Sequence, residues 1–354
     1  MRDLPPSARV PLLVLGVIAL ASGIAGGLVR LGISAPAPTA GIAWHGALMA
    51  SAFFGTLISL ERAVALGRLW AYAAPIACGA GGIALLAGRS EAAFACFIAG
   101  AGLFTAASVV IWLRQRVMHM AVLVLGAAAL LVANLALAAG VALESATLGW
   151  IAFFALTIGG ERLELSRLLR PPPAARTAFV VIALALLLVA FVAPWWTDAA
   201  LRAAGVLLVA LAAWLARYDI ASRTVRASGI TRYIALCLLA GYVWLALGGA
   251  ALALGGAGRE LWDAAVHALL LGFVFSMVFG HAPVILPAVL RIRFPYHALL
   301  YAPLVLLHAA LALRVLGDLA GSASLRAAGG AGNAAAIALF IACALGLVLS
   351  ARRR

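Results

Sequence analysis

Twelve strongly apolar segments follow one another along this chain of 354 residues, separated by short breaks. A helix of roughly 20 apolar residues spans a bilayer. In lipid every backbone N–H and C=O must be satisfied within its own segment, so only helices and closed barrels cross. No stretch shows the alternation of a membrane barrel. The sequence therefore predicts an all-α, polytopic membrane protein with spans at 10–30, 42–66, 70–88, 91–114, 118–140, 146–169, 175–195, 199–217, 229–255, 262–289, 297–317 and 328–350. The first run follows Arg2 and Arg9 and resembles a signal peptide, but it is long enough to be read as an uncleaved first span.

Hydrophobic residues make up 66% of the chain and charged ones 10%, a balance foreign to soluble domains. The net charge of +14 could suggest nucleic acid, but the 25 basic residues are all Arg and fall in or near the short loops. Arg30, Arg89, Arg202, Arg259, Arg314 and Arg326 belong to one side and all the others to the opposite side. The richer side is expected to be cytoplasmic in a bacterial inner membrane, with both termini there. Cys78, Cys96, Cys237 and Cys343 lie inside apolar segments without zinc or disulfide spacing and read as small buried hydrophobes.

No soluble domain interrupts the spans. Pro36 and Pro38 stop helix formation just before the second segment. A faint repeat is present. Phe53-Phe54-Gly55 is followed by Glu61-Arg62, and Phe153-Phe154-Ala155 by Glu161-Arg162 at the same interval. The offset is four spans, so segments two, six and ten are expected to be equivalent members of three four-helix units in a pseudo-threefold arrangement, at 1–117, 118–226 and 227–354.

Histidines carry the chemistry. His45 follows Trp44 at the start of the second segment, and His267 follows Trp262 near the start of the tenth. Both tryptophans fit interface anchors, which sets the two histidines at matched depth. Two neutral imidazoles on rigid helices are what a bis-histidine haem iron requires. The simpler alternative is that each ring hydrogen-bonds a neighbouring carbonyl. His281 lies roughly 21 Å along the helix from His267, at 1.5 Å per residue, so one iron cannot take both. With His308 it is a candidate second metal site. Pro283 and Pro287 are expected to loosen the helix around His281. His297 and His119 read as interfacial. Glu61, Arg62, Glu161 and Arg162 form a candidate proton or ion site, or else carboxylates pair with Arg stems that reach the interface. There is no phosphate loop and no haem-attachment signature, so a haem would be non-covalent.

With its twelve spans and the stretches Trp44-His45-Gly46-Ala47-Leu48-Met49 and His267-Ala268-Leu269-Leu270-Leu271-Gly272, the chain resembles the catalytic subunit of haem–copper oxidases. Within that superfamily it is most similar to the NnrS family, membrane haem proteins associated with the response to nitric oxide. The resemblance implies haem b, with His45 and His267 as its ligands. Copper in that superfamily rests on histidines of helices six and seven, and here both helices lack His. The close histidine pair of helix ten is missing as well, so the oxidase reaction is not assigned and copper has no ligand set. The expectation is a membrane-integral haem protein of nitric oxide or redox stress, with a small gas or a redox donor as partner. A metal-free secondary transporter is the alternative, since repeats, intramembrane Glu-Arg pairs and a proline-broken helix suit one.

Overall fold

The computed structural model describes residues 3–352; Arg2, Arg353 and Arg354 of the topology argument lie outside them, as do the side chains of Arg259 and Arg352. Among the described residues there is no strand. Twelve helices are long and apolar enough to cross a membrane: α1 (Pro6–Arg30), α2 (His45–Leu66), α3 (Leu69–Leu86), α4 (Ser90–Arg114), α5 (Met118–Ala138), α6 (Leu143–Leu169), α7 (Pro173–Val192), α8 (Thr197–Tyr218), α9 (Gly229–Gly255), α10 (Leu261–Leu290), α11 (Ala298–Leu319) and α12 (Ala323–Ala351). Every span read from hydropathy has its helix, and the chain is an all-α, multi-pass membrane protein. A short extra helix, Thr39–Ala43, begins directly after Pro38 and leads into α2.

The chain divides into two compact units. The first holds Met1–Gly160 with Ala190–Thr197, the second Glu161–Val189 with Asp198–Arg354. Within the first, α1 packs on α2 and α3, α3 on α4, and α4 on α5. The repeated phenylalanine pairs meet here. Phe53–Phe54 and Phe153–Phe154 have centroid distances of 4.6 and 4.7 Å, and Phe54 meets Phe154 edge to face at 4.7 Å. Within the second unit, α9 packs on α10, α10 on α11, and α11 along α12. Phe279 and Phe340 stack in parallel at 4.0 Å, and Asn333 Nδ2 donates to the Leu307 carbonyl at 2.9 Å.

Among the described residues, two spans depart from α-helix in their interior rather than at an end. In α2 the stretch Leu48–Phe54 is π-helical, and in α10 the stretch Ala268–Phe275 is too. Such stretches are rare and concentrate at functional sites. Each follows its histidine within three residues, His45 in α2 and His267 in α10, and each ends on a phenylalanine. The irregularity of α10 therefore lies ahead of His281. From Ser276 to Leu290 the helix runs on through Pro283 and Pro287. Each proline removes one N–H from the helix.

Not all the arginines are loop residues. Arg9, Arg62, Arg162 and Arg314 lie within helices and are buried. Most have a counter-charge that offsets desolvation. Arg9 meets Asp3 at 2.7 Å, and Asp3 also accepts from the Tyr72 hydroxyl at 2.7 Å. Arg314 meets Asp263 at 2.9 Å.

Candidate functional site

In the first unit, His45 stands half-buried at the head of α2, one residue past Trp44, whose ring meets Phe94 at 5.1 Å. Its Nδ1–H donates to the Gly23 carbonyl of α1 at 2.6 Å. A side chain at Gly27 would have no room. Its Cβ would lie 2.9 Å from His45 Cε1 and 3.1 Å from Nδ1. Two positions one turn apart on α1 thus seat the ring, one by its carbonyl and one by having no Cβ. The adjoining π stretch carries Ser51, which donates to Asn134 Oδ1 at 2.5 Å and accepts from Trp150 Nε1 at 3.1 Å. Asn134 in turn donates to the Phe97 carbonyl. These groups are all buried and mutually satisfied.

In the second unit, His267 Nδ1–H donates to the Asp263 carbonyl one turn earlier, at 2.8 Å, with the Asp263 carboxylate at 3.3 Å. Arg314 of α11 clamps that carboxylate. Imidazoles that ligate metals commonly donate their other N–H to a carbonyl or carboxylate, which fixes the tautomer. His45 and His267 both have this arrangement, with the Nε2 lone pair directed away from the donated proton.

Elsewhere in the second unit, a polar cluster gathers residues of α6, α9 and α10 around the end of α8. Arg162 of α6 donates from Nη2 to His281 Nε2 of α10 at 3.1 Å, and its Nε lies 3.9 Å from the Asp219 carboxylate. Asp219, just past α8, is fully buried and accepts from the Ala221 N–H at 2.6 Å and from the Tyr242 hydroxyl of α9 at 3.0 Å. Burial pushes the Asp219 carboxyl above its ordinary range, while Arg162, the Ala221 N–H and the Tyr242 hydroxyl pull it back. His281 donates from Nδ1 to the Met277 carbonyl at 2.7 Å, and Glu161 lies 4.0 Å from its Nε2. Of the residues read as a proton or ion site, Glu161 and Arg162 are thus brought together with His281. Arg162 takes Asp219 and His281 as partners and is buried. The exposed pair of α6 is Glu164–Arg167 at 3.2 Å. In α2, Arg62 is buried and Glu61 half-buried. The sequence reading missed Asp219, Tyr242 and Asp263; a carboxylate directly at a span's end was the signal for Asp219.

His308 is held differently. Trp244 Nε1 donates to His308 Nδ1 at 2.9 Å, His308 Nε2–H faces Ser276 Oγ at 3.3 Å, and Ser276 donates to the Cys237 carbonyl at 2.7 Å. This relay ties α9, α10 and α11. It needs Gly272 in the π stretch, where a Cβ would collide with Trp244. His281 and His308 share no partner, and each has protein contacts at both ring nitrogens. No group of three or more His, Cys, Asp or Glu positioned for a metal is found among the described residues. His297 is exposed and its Nδ1 accepts from the Leu299 N–H, whereas His119, second residue of α5, is buried. The cysteines are free, three of them buried.

Twelve spans, two of them with π-helical stretches headed by histidines, define an all-helical, multi-pass membrane protein with imidazoles built into its interior. The chain belongs to the family described as a domain of unknown function, DUF8744, which matches residues 9–349. No curated protein matches it. No solved structure does either.

Proposed function

We propose that this is a membrane-integral protein of the bacterial inner membrane that binds b-type haem, with His45 and His267 as ligands and both termini cytoplasmic. One observation carries the reading: each histidine heads a π-helical stretch, and each has its Nδ1–H held by a backbone carbonyl. The donor set fits the group, since neutral imidazole nitrogens with a fixed tautomer are ordinary haem ligands. Haem would supply one-electron chemistry or the capture of a small gas. This chain's residues do the positioning. Gly23 and Gly27 seat the His45 ring, and Asp263, itself held by Arg314, makes the His267 ring more basic. The reading follows the NnrS likeness into a role in nitric oxide or redox stress. Absorption spectra of purified full-length protein from haem-replete cells test it. A Soret band is expected that weakens in H45A and in H267A; a colourless, folded wild type sinks the reading.

A second reading, a metal-free secondary transporter, is favoured by a different observation, the buried Arg162–Asp219 pair with His281. Ionisable groups inside a bundle commonly mark ion pathways.

A further inference from the structure

The cluster on α6, α8, α9 and α10 has the geometry of a switch rather than of a static knot. We propose that His281 is a proton-binding site whose ring changes partner on loading, accepting from Arg162 when neutral and donating to Glu161 when protonated.

The tautomer follows from the partners. Nδ1 carries the proton donated to the Met277 carbonyl, so Nε2 is the acceptor for Arg162. The Nδ1 bond also fixes the ring plane, and a further proton has one place to go, the Nε2 lone pair. There a new N–H bond forms, no electrons are transferred, and the ring gains one positive charge. The Arg162 N–H at 3.1 Å then faces a donor instead of an acceptor, and that contact turns repulsive. The nearest acceptor for the new N–H is the Glu161 carboxylate at 4.0 Å. A charge-assisted bond of about 2.8 Å needs that group to close by roughly 1.2 Å. Glu161 has room to do so, being 26% exposed against 14% for His281. Arg162, released, has Asp219 waiting at 3.9 Å. That carboxylate is already held by the Ala221 N–H and the Tyr242 hydroxyl and need not move.

Burial of the ring works against charging it, and the carboxylates around it work the other way. The groups facing His281 are Glu161 and Arg162 from α6, Asp219 from the turn after α8, and Tyr242 from α9 behind Asp219. With both carboxylates ionised, two negative charges stand against one guanidinium, and a proton on His281 cancels the excess. The site would give the carrier reading its coupling ion, yet it needs neither transport nor haem. Its test reads protonation alone, so its failure leaves both readings of the whole chain standing.

Full-length protein in lipid nanodiscs, labelled with ¹⁵N-histidine, is titrated by NMR from about pH 8 to about pH 4.5, a window around the ordinary imidazole value. H281Q assigns the resonances. The expected result is a neutral Nδ1–H ring that converts to imidazolium, and an E161Q variant that requires roughly tenfold more protons for half-conversion. A ring that stays neutral throughout, that carries its proton on Nε2 at the alkaline end, or that titrates identically in E161Q overturns the proposal. Should E161Q fail to fold, ¹³C-carboxyl signals of glutamate in the wild type decide the matter. A Glu161 carboxylate that responds at the same midpoint as the ring supports the partner exchange, and one that ignores it refutes it.

Discussion

Phe54 meets Phe154 edge to face at 4.7 Å, although the two lie in different spans and occupy equivalent places in a sequence repeat. Both are buried, and each has its own neighbouring phenylalanine within the same four-ring cluster. F54A or F154A should each destabilise the protein by about 3–5 kcal/mol, since a buried ring leaves a cavity. The double variant should lose less than the sum, by about 0.5–1.5 kcal/mol for the ring–ring contact. Thermal unfolding in detergent measures this. Additive losses would mean that the two rings do not couple.

Gly27 sets the place of the His45 ring. The Cβ of G27A would lie 2.9 Å from His45 Cε1, too close for the ring to stay where it is. The ring should shift and lose its bond to the Gly23 carbonyl. Under the haem reading, G27A should lower haem content per protein several-fold while helical circular dichroism is unchanged. Full haem content in G27A would show that this seating does not matter for the cofactor.

The Trp244–His308–Ser276 relay is structural by its contacts. W244F removes one donor and leaves His308 Nδ1 with a lost partner at partly buried depth. A loss of about 1–3 kcal/mol is expected, with any absorption spectrum unaltered. A changed spectrum in W244F would instead tie His308 to the cofactor.

Asp219 predicts the sign of a pH dependence. Burial raises its carboxyl in the folded protein, so the folded state holds the proton to higher pH than the unfolded chain, whose carboxyl titrates near 3.9. The stability from this group is fully present below the unfolded value and is lost as pH rises through the higher folded one. Between the two values the wild type should lose stability with rising pH more steeply than D219N. Melting temperatures of both proteins across acid pH measure the difference, and parallel curves would rule the group out.

Hydropathy made the helices legible because lipid leaves a 20-residue apolar run no other structure. Phe54 and Phe154, set side by side in the sequence by their equal spacing to Glu-Arg, touch in the fold. The π stretches were not: Leu48–Phe54 and Ala268–Phe275 are as apolar as their surroundings, and nothing in such a run records one extra residue per turn. Nor was the partner of Arg162. Its sequence neighbours Glu161 and Glu164 suggested local pairing, whereas the buried counter-charge is Asp219, brought in from the end of another span. The prolines of α10 misled in the other direction, because Pro283 and Pro287 sit within a helix that holds together around them.

The π stretches also set the rotational phase of the helices that contain them. One residue of an α-helix turns the chain by about 100° and a π-helical residue by less, so if all of Leu48–Phe54 wound as regular α-helix, the far half of α2 would swing against its near half. Arg62, now buried, would be carried out of its place with Glu61, and His45 would keep its seat on α1. The two ends of α2 are therefore geared to one another, and the wider winding between them holds the imidazole and the guanidinium in register.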